Sequence, residues 1–213
     1  MIYNLDIAKQ VAKSLLQINA IILQPNNPFK WAAGWNSPIY CDNRKTLSYP
    51  EIRNYIRQGL VAVIKNHYKG ANVIAGVATA GIPHGVLVAE ELGLPFIYVR
   101  AKAKEHGKQN QIEGYFEKGQ SVILVEDLIS SGKSSLEAAS ALKEVGMKVK
   151  GMVSIFTYGF DTASENFKNA NCEYISLCDY NTLLLEAIKQ KYIDKEDLAI
   201  LKQWRENPSN WKQ

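Results

Sequence analysis

Apolar positions along this chain alternate between short continuous runs and stretches at helical spacing. Ile7, Val11, Leu15, Ile18 and Ile22 recur with lysines between them, which predicts an amphipathic helix over 6–23 capped by Asp6. A Pro/Asn break (QPNNP) follows, and 29–44 is aromatic-rich with no period. Ser48-Tyr49-Pro50-Glu51 reads as a capping box with proline in the first turn, opening a helix that runs to about His67. Residues 73–77 predict a buried strand, 82–92 a helix, and 95–100 a strand that leads into a basic segment ending near Gly114. A further strand at 122–125 and a helix over 134–145 come next, then strands near 149–156 and 174–177. Two terminal helices are expected over 181–191 and 195–205, the second capped by Asp194.

Strands alternating with helices predict an α/β fold with right-handed crossovers and a parallel twisted sheet flanked by helices. No repeat, low-complexity tract or interdomain linker interrupts the pattern, so 1–213 reads as a single domain. The N-terminal helix and 29–44, together about 1–45, are the candidates for a small hood over the sheet's carboxyl edge, where open α/β sheets bind ligands.

Composition narrows the functional classes. The 213 residues, 46% hydrophobic and 22% charged, suffice for one well-buried domain and are ordinary for a globular protein. A net charge of +4 is too mild to argue for a nucleic-acid or membrane partner. Cys41, Cys172 and Cys178 are odd in number, form no C-x-x-C pair, and read as reduced thiols. The N-terminus lacks a basic region followed by an apolar core, and the uncharged window 70–89 contains four glycines, Pro83 and His84, which suit strand, turn and helix better than a membrane span. A cytoplasmic location is expected.

The chemistry concentrates at 121–135 (SVILVEDLISSGKSS). A short apolar strand runs into two adjacent acids, Glu126 and Asp127, and then Leu128, Ile129, Ser130, Ser131, Gly132, Lys133 and Ser134 lead into a helix. Small side chains there let backbone N–H groups converge, and a helix N-terminus has unpaired N–H groups and a positive dipole end, which favours a phosphate at 129–134. Paired acids accept hydrogen bonds from two neighbouring hydroxyls, so the fitting ligand is a sugar phosphate. A P-loop shares Gly132-Lys133-Ser134 but needs glycine where Asp127 stands. An ordinary buried strand before a capped helix accounts for the apolar pattern but not for the acids. A second small-residue turn, Gly76-Val77-Ala78-Thr79-Ala80-Gly81-Ile82-Pro83, allows close approach of a diphosphate to Thr79, Ala80 and Gly81.

VILVEDLISSGKS resembles the ribose-phosphate fingerprint of the type I phosphoribosyltransferases, whose fold is a parallel α/β sheet with a smaller hood and whose donor is 5-phosphoribosyl 1-diphosphate. The turn GVATAGIP is similar to the one that holds the diphosphate side of the donor in the orotate branch. Phe29 to Arg44 resembles that branch's F-x-L-K-S-G-x-x-S-P-x-Y-x-D-x-R segment, which purine-using relatives lack. The resemblance implies transfer of ribose 5-phosphate to orotate, with Mg²⁺ bound through substrate oxygens and no direct protein ligation of the metal. It also implies a homodimer with shared sites, because the branch's basic loop reaches the neighbouring subunit. In this chain the loop places Arg100, Lys102, Lys104 and His106 on the donor, with Ala101 where relatives often have lysine. Arg100, Lys104 and His106 stabilise diphosphate charge in that reading, and Asp127 joins them as a catalytic residue; the bland alternative is a solvated surface loop.

Two departures concern the base. The family's lysine falls at Ala32, with Lys30 nearby, and Thr157-Tyr158 stands where many relatives carry the Asp-Arg that holds the orotate carboxylate. Ser130, Tyr40, Arg44 and Tyr158 are the expected base contacts, Arg44 and the Tyr158 hydroxyl being the candidates for the carboxylate. Trp31 and Trp35 suit either stacking on a flat base or packing. His84 reads as structural and His67 as a surface residue at a helix end. Two rival readings stay open: a phosphoribosyltransferase for a purine or uracil, and a non-enzymatic regulator that senses the donor.

Overall fold

The computed structural model describes residues 1–31, 34–101 and 111–212. Among these, six strands form the main sheet: β5 (Val73–Val77), β6 (Phe96–Val99), β7 (Ile112–Glu113), β8 (Ser121–Ile129), β9 (Lys148–Thr157) and β10 (Tyr174–Asp179). Their spatial order is β10-β9-β8-β5-β6-β7, parallel throughout except for the β7 edge, which runs antiparallel to β6. β5 is buried at every position, and so are 122–126 of β8, as expected for strands covered on both faces.

Helices cover both faces. On one, α1 (Leu5–Gln17), α2 (Pro50–His67), α3 (Gly81–Leu92), α6 (Tyr180–Lys189) and α7 (Lys195–Glu206) share a core with Ile123, Val125, Val153 and Leu177. On the other, α4 (Lys133–Glu144) and α5 (Asp161–Asn169) close over Val122, Leu124, Met152 and Ile97. Two small antiparallel pairs, β1 (Ile21–Leu23) with β4 (Ile39–Cys41) and β2 (Phe29–Lys30) with β3 (Asn36–Ser37), precede a 3₁₀ helix over Asn43–Ser48. No helix among the described residues is long and apolar enough to cross a membrane.

Several boundaries differ from the sequence expectation, each for a local reason. The first helix stops at Gln17, because Asn19 turns left-handed (φ 52°) and the N–H groups of Asn19 and Ala20 bond back to Leu16 and Leu15 in a Schellman closure; the apolar run beyond it becomes β1. Its cap is Asn4, which accepts from the N–H groups of Asp6 and Ile7, rather than Asp6. Ser48 caps nothing, since it closes the 3₁₀ helix; α2 starts on Pro50 with no side-chain cap. β8 continues through Ile129, so Glu126 and Asp127 lie on the strand and not in the turn. α5 was absent from the expectation because only Ala163 and Phe167 of its nine residues are buried, which leaves almost no apolar period. The Asp194 cap stands, reinforced by a capping box with Asp197. α1 packs on β10 and α6, inside the helical layer.

Candidate active site

The sheet order creates one topological switch point. From β5 the chain crosses through α3 to β6 on one side, whereas from β8 it crosses through α4 to β9 on the other. β5 and β8 are hydrogen-bonded neighbours, Gly76 opposite Val125, so their crossovers diverge and leave a crevice outside the carboxyl ends. Both sequence-predicted anion turns open on this crevice. Among the described residues no side chain caps the N-terminus of α3 or α4, which leaves first-turn N–H groups available to a ligand.

The two turns are held close by glycine. A Cβ on Gly81 would overlap the Val125 carbonyl oxygen and stand 3.3 Å from the Glu126 Cα, so α3 begins against β8 only because position 81 has no side chain. At the other turn Gly132 adopts φ 76°, and a Cβ there would press on the Phe167 ring, with Cδ2 at 3.0 Å. Thr79 is exposed and Ala80 half-buried beside the buried Gly81; Lys133 and Ser134 are exposed on the first turn of α4. The loop between β8 and α4 is braced by Asn166, whose Nδ2 donates to the Ser131 carbonyl at 3.0 Å, and by the Tyr158 N–H and Thr157 hydroxyl, which donate to the Ile129 carbonyl.

The acids differ in environment. Glu126 is 5% exposed; one oxygen accepts the Asp127 N–H at 3.0 Å and the other accepts the Ser135 hydroxyl at 2.9 Å. Burial, and then the neighbouring Asp127 charge, push its carboxyl well above the usual range. Asp127 is less enclosed; burial raises its carboxyl too, against a lowering from its contact with Glu126. Burial thus raises both carboxyls, and Glu126 is the more enclosed of the two. Asp127 is fixed through its backbone: Asn43, 1% exposed, donates from Nδ2 to its carbonyl at 2.8 Å and so ties the 3₁₀ helix to β8. His84, 1% exposed on α3, has no hydrogen-bond partner for Nε2 among the described residues, and burial lowers its pKa to about 4, so it sits neutral at pH 7.

The remaining predicted residues are distributed unevenly. Lys102, Lys104 and His106 lie outside the described residues, as does Ala32. Arg100 follows β6, hydrogen-bonded to Gln111 through its backbone, with Nη1 3.5 Å from the Glu113 carboxylate. Ser130 and Ser131 line a cavity of 290 Å³ together with Trp31 and Trp35. Tyr40 is exposed on β4 beside Phe29. The two candidates for an organic carboxylate have different surroundings. Arg44 spends its fork on Asp42, Nε to Oδ1 at 2.6 Å and Nη2 to Oδ2 at 3.1 Å, and Tyr158 is 2% exposed in a ring cluster with Trp31, Phe156, Phe160, Tyr180 and Trp204. Asn43, Ser135 and Asn166 were not singled out in the sequence: polar residues that brace backbone across the fold carry no local pattern.

Similarity to known proteins agrees with this geometry. The profile of the phosphoribosyl transferase domain matches residues 51–180. The orotate phosphoribosyltransferase of Cytophaga hutchinsonii is 55% identical over 208 residues, 98% of this chain and 100% of that protein. The one from Listeria innocua is 50% identical over 97% of this chain and 99% of its own length. Among solved structures, orotate phosphoribosyltransferase from Aeropyrum pernix superposes with a TM-score of 0.75 at 26% identity, over 86% of this chain and 99% of that one. A fold with its crevice between β5 and β8, and relatives this similar over nearly their whole length, place the chain in the orotate phosphoribosyltransferase family.

Proposed function

We propose that this chain transfers the 5-phosphoribosyl group from 5-phosphoribosyl 1-diphosphate to N1 of orotate, releasing pyrophosphate and forming orotidine 5′-monophosphate. The observation that carries the reading is the pair of uncapped helix N-termini flanking Asp127 at the switch point, two anion sites on either side of one carboxylate. The first turn of α4, with Ser130, Ser131, Gly132, Lys133 and Ser134, takes the 5′-phosphate, and the turn Thr79-Ala80-Gly81 takes the diphosphate. Asp127 accepts from the ribose hydroxyls; Glu126 orients it and contributes less directly, since both its oxygens already serve Asp127 and Ser135.

In the reaction the C1′–O bond to the diphosphate breaks ahead of formation of the C1′–N1 bond, the C–O electron pair leaves with the diphosphate, and the proton of orotate N1 passes to the departing diphosphate or to solvent. Positive charge on the ribose is met by Asp127, and negative charge on the departing diphosphate by the α3 N-terminus and by Arg100, Lys104 and His106. No covalent nucleophile is needed. Lys102 adds a further cation to the donor, and Ser130 and Tyr40 contact the base. The strands and hairpins from β1 to the 3₁₀ helix form the hood.

No group of three His, Cys, Asp or Glu side chains suited to a metal exists among the described residues. Mg²⁺, when bound with the donor, would lie beside Asp127 and would supply neutralisation of diphosphate charge. A homodimer in which the 100–108 segment serves the partner's site completes the reading. The three free cysteines suit the reducing cytoplasm.

The test is spectrophotometric. Protein, donor, Mg²⁺ and orotate should give loss of orotate absorbance, with adenine, hypoxanthine and uracil inert; turnover of one of those bases in place of orotate would reassign the substrate, and donor binding without turnover would indicate a sensor. Lys104→Ala should lower kcat/KM by a factor on the order of 10². An unchanged value returns 100–108 to a solvated loop. Sedimentation should show a dimer at micromolar concentration; a fully active monomer excludes the shared site.

A further inference from the structure

We infer that Arg205, on the C-terminal helix α7, holds the carboxylate of orotate. The inference rests on the proposed substrate, and it places a guanidinium at the cavity that Ser130 lines. The cavity of 290 Å³ beside the β8–α4 turn is walled by Trp31, Trp35 and Phe160, floored by Ser130 and Ser131, and reached by Arg205. It is near the lower end of the size range for small-ligand pockets, about 300–1,000 Å³, and flat aromatic walls with hydroxyls and one guanidinium describe a receptor for a planar anion.

The helix is anchored so that this side chain is presented. Trp204 is fully buried, with its ring 5.6–5.7 Å from those of Trp31, Tyr158, Phe160 and Tyr180. Its neighbour Arg205 donates from Nη1 to the Asn181 Oδ1 at 2.9 Å and from Nη2 to the Gly159 carbonyl at 3.2 Å. A guanidinium has five N–H groups, so these two bonds orient the fork and leave donors over. Gly159 lies just beyond the end of β9 at Thr157, so a guanidinium from α7 reaches the backbone at the carboxyl edge of the sheet. Asp161 and Glu206 also line the cavity, but both are exposed, so solvent screens them more than it screens the half-buried Arg205.

Orotidine 5′-monophosphate and uridine 5′-monophosphate differ only in the carboxylate, so their relative affinity reads this contact directly. Wild type should bind the former more tightly, and Arg205→Gln should reduce that preference by a factor on the order of 10 to 100, the loss of a hydrogen-bonded charge pair. The same variant should raise KM for orotate by a similar factor and leave KM for the donor within about twofold. Arg205→Lys, which keeps the charge and the packing of the stem, should fall between and decides the matter if the Gln variant does not fold. A nucleotide preference equal to wild type in a folded variant, or a loss shared equally by both nucleotides, overturns the inference. Wild-type turnover of orotate alongside that result leaves the functional reading intact; absence of orotate turnover in wild type removes both.

Discussion

A single methyl group at position 81 is the sharpest test of how the two anion turns are brought together. In Gly81→Ala the new Cβ would overlap the Val125 carbonyl oxygen and lie 3.2 Å from its carbon and 3.3 Å from the Glu126 Cα, all backbone of a strand paired on both sides. No side chain can rotate away, so relief requires α3 and the Thr79–Gly81 turn to withdraw from β8 by roughly 1 Å, since interiors are packed without slack. Overpacking of this kind costs about 1–3 kcal/mol, and a misplacement of 1 Å in a positioned site costs on the order of 10²-fold in rate. Urea unfolding should therefore show the stability loss, and kcat/KM for the donor should fall by about 10²-fold. Gly85→Ala is the control: one turn further along the same face of α3, its Cβ meets the Phe96 ring at 2.7 Å and the Gly76 Cα at 3.3 Å, away from the Thr79–Gly81 turn, so stability should fall with a smaller effect on rate. Should Gly81→Ala retain kcat/KM within threefold of Gly85→Ala, the close approach of α3 to β8 would not be what positions the diphosphate.

The unequal acids give a second expectation. Asp127→Asn should lower kcat/KM by a factor on the order of 10²–10³, whereas Glu126→Gln should cost far less, and equal losses would contradict the asymmetry. Because the Glu126 carboxyl is raised in the fold, it favours the folded state at low pH and loses that contribution as pH climbs above the ordinary carboxyl range; the Gln variant should lack this component in pH-dependent melts. His84 works in the opposite direction: with its pKa lowered to about 4 from 6.5, the unfolded chain binds the proton between those values, so stability falls as pH drops through that window, by at most about 3 kcal/mol. His84→Leu should flatten the curve there, and parallel curves would show that the imidazole is not held neutral. Asn43→Ala should destabilise by about 1–3 kcal/mol by orphaning the Asp127 carbonyl, and should raise KM for the donor; an unchanged urea midpoint would show that water replaces the bond.

The sheet and the two small-residue turns at helix starts were readable because local rules generate them. The apolar run 122–125, the acids after it and the small-residue turn are contiguous, so the strand, its ligand-facing end and the helix N-terminus follow from neighbouring residues. The same holds for 73–83 and for the Asp194 cap. Where reading failed, the deciding contacts were distant or apolar signal was thin. The chain leaves α1 at Asn19 because residues 21–23 find a strand partner at 39–41, and α5 forms with two buried side chains.

Composition and order along the chain determined an α/β sheet and two small-residue turns at helix starts, one of them preceded by a carboxylate pair, since each depends on propensity and period among neighbouring residues. That burial raises both carboxyls, that β5 and β8 lie side by side so that both turns open on one crevice, that Arg44 pairs with Asp42 and Tyr158 enters the aromatic core, and that α7 brings Arg205 beside Gly159 were decided only by tertiary packing. Burial, strand order and the meeting of residues 46 positions apart are properties of the folded surface, and no window of sequence contains them.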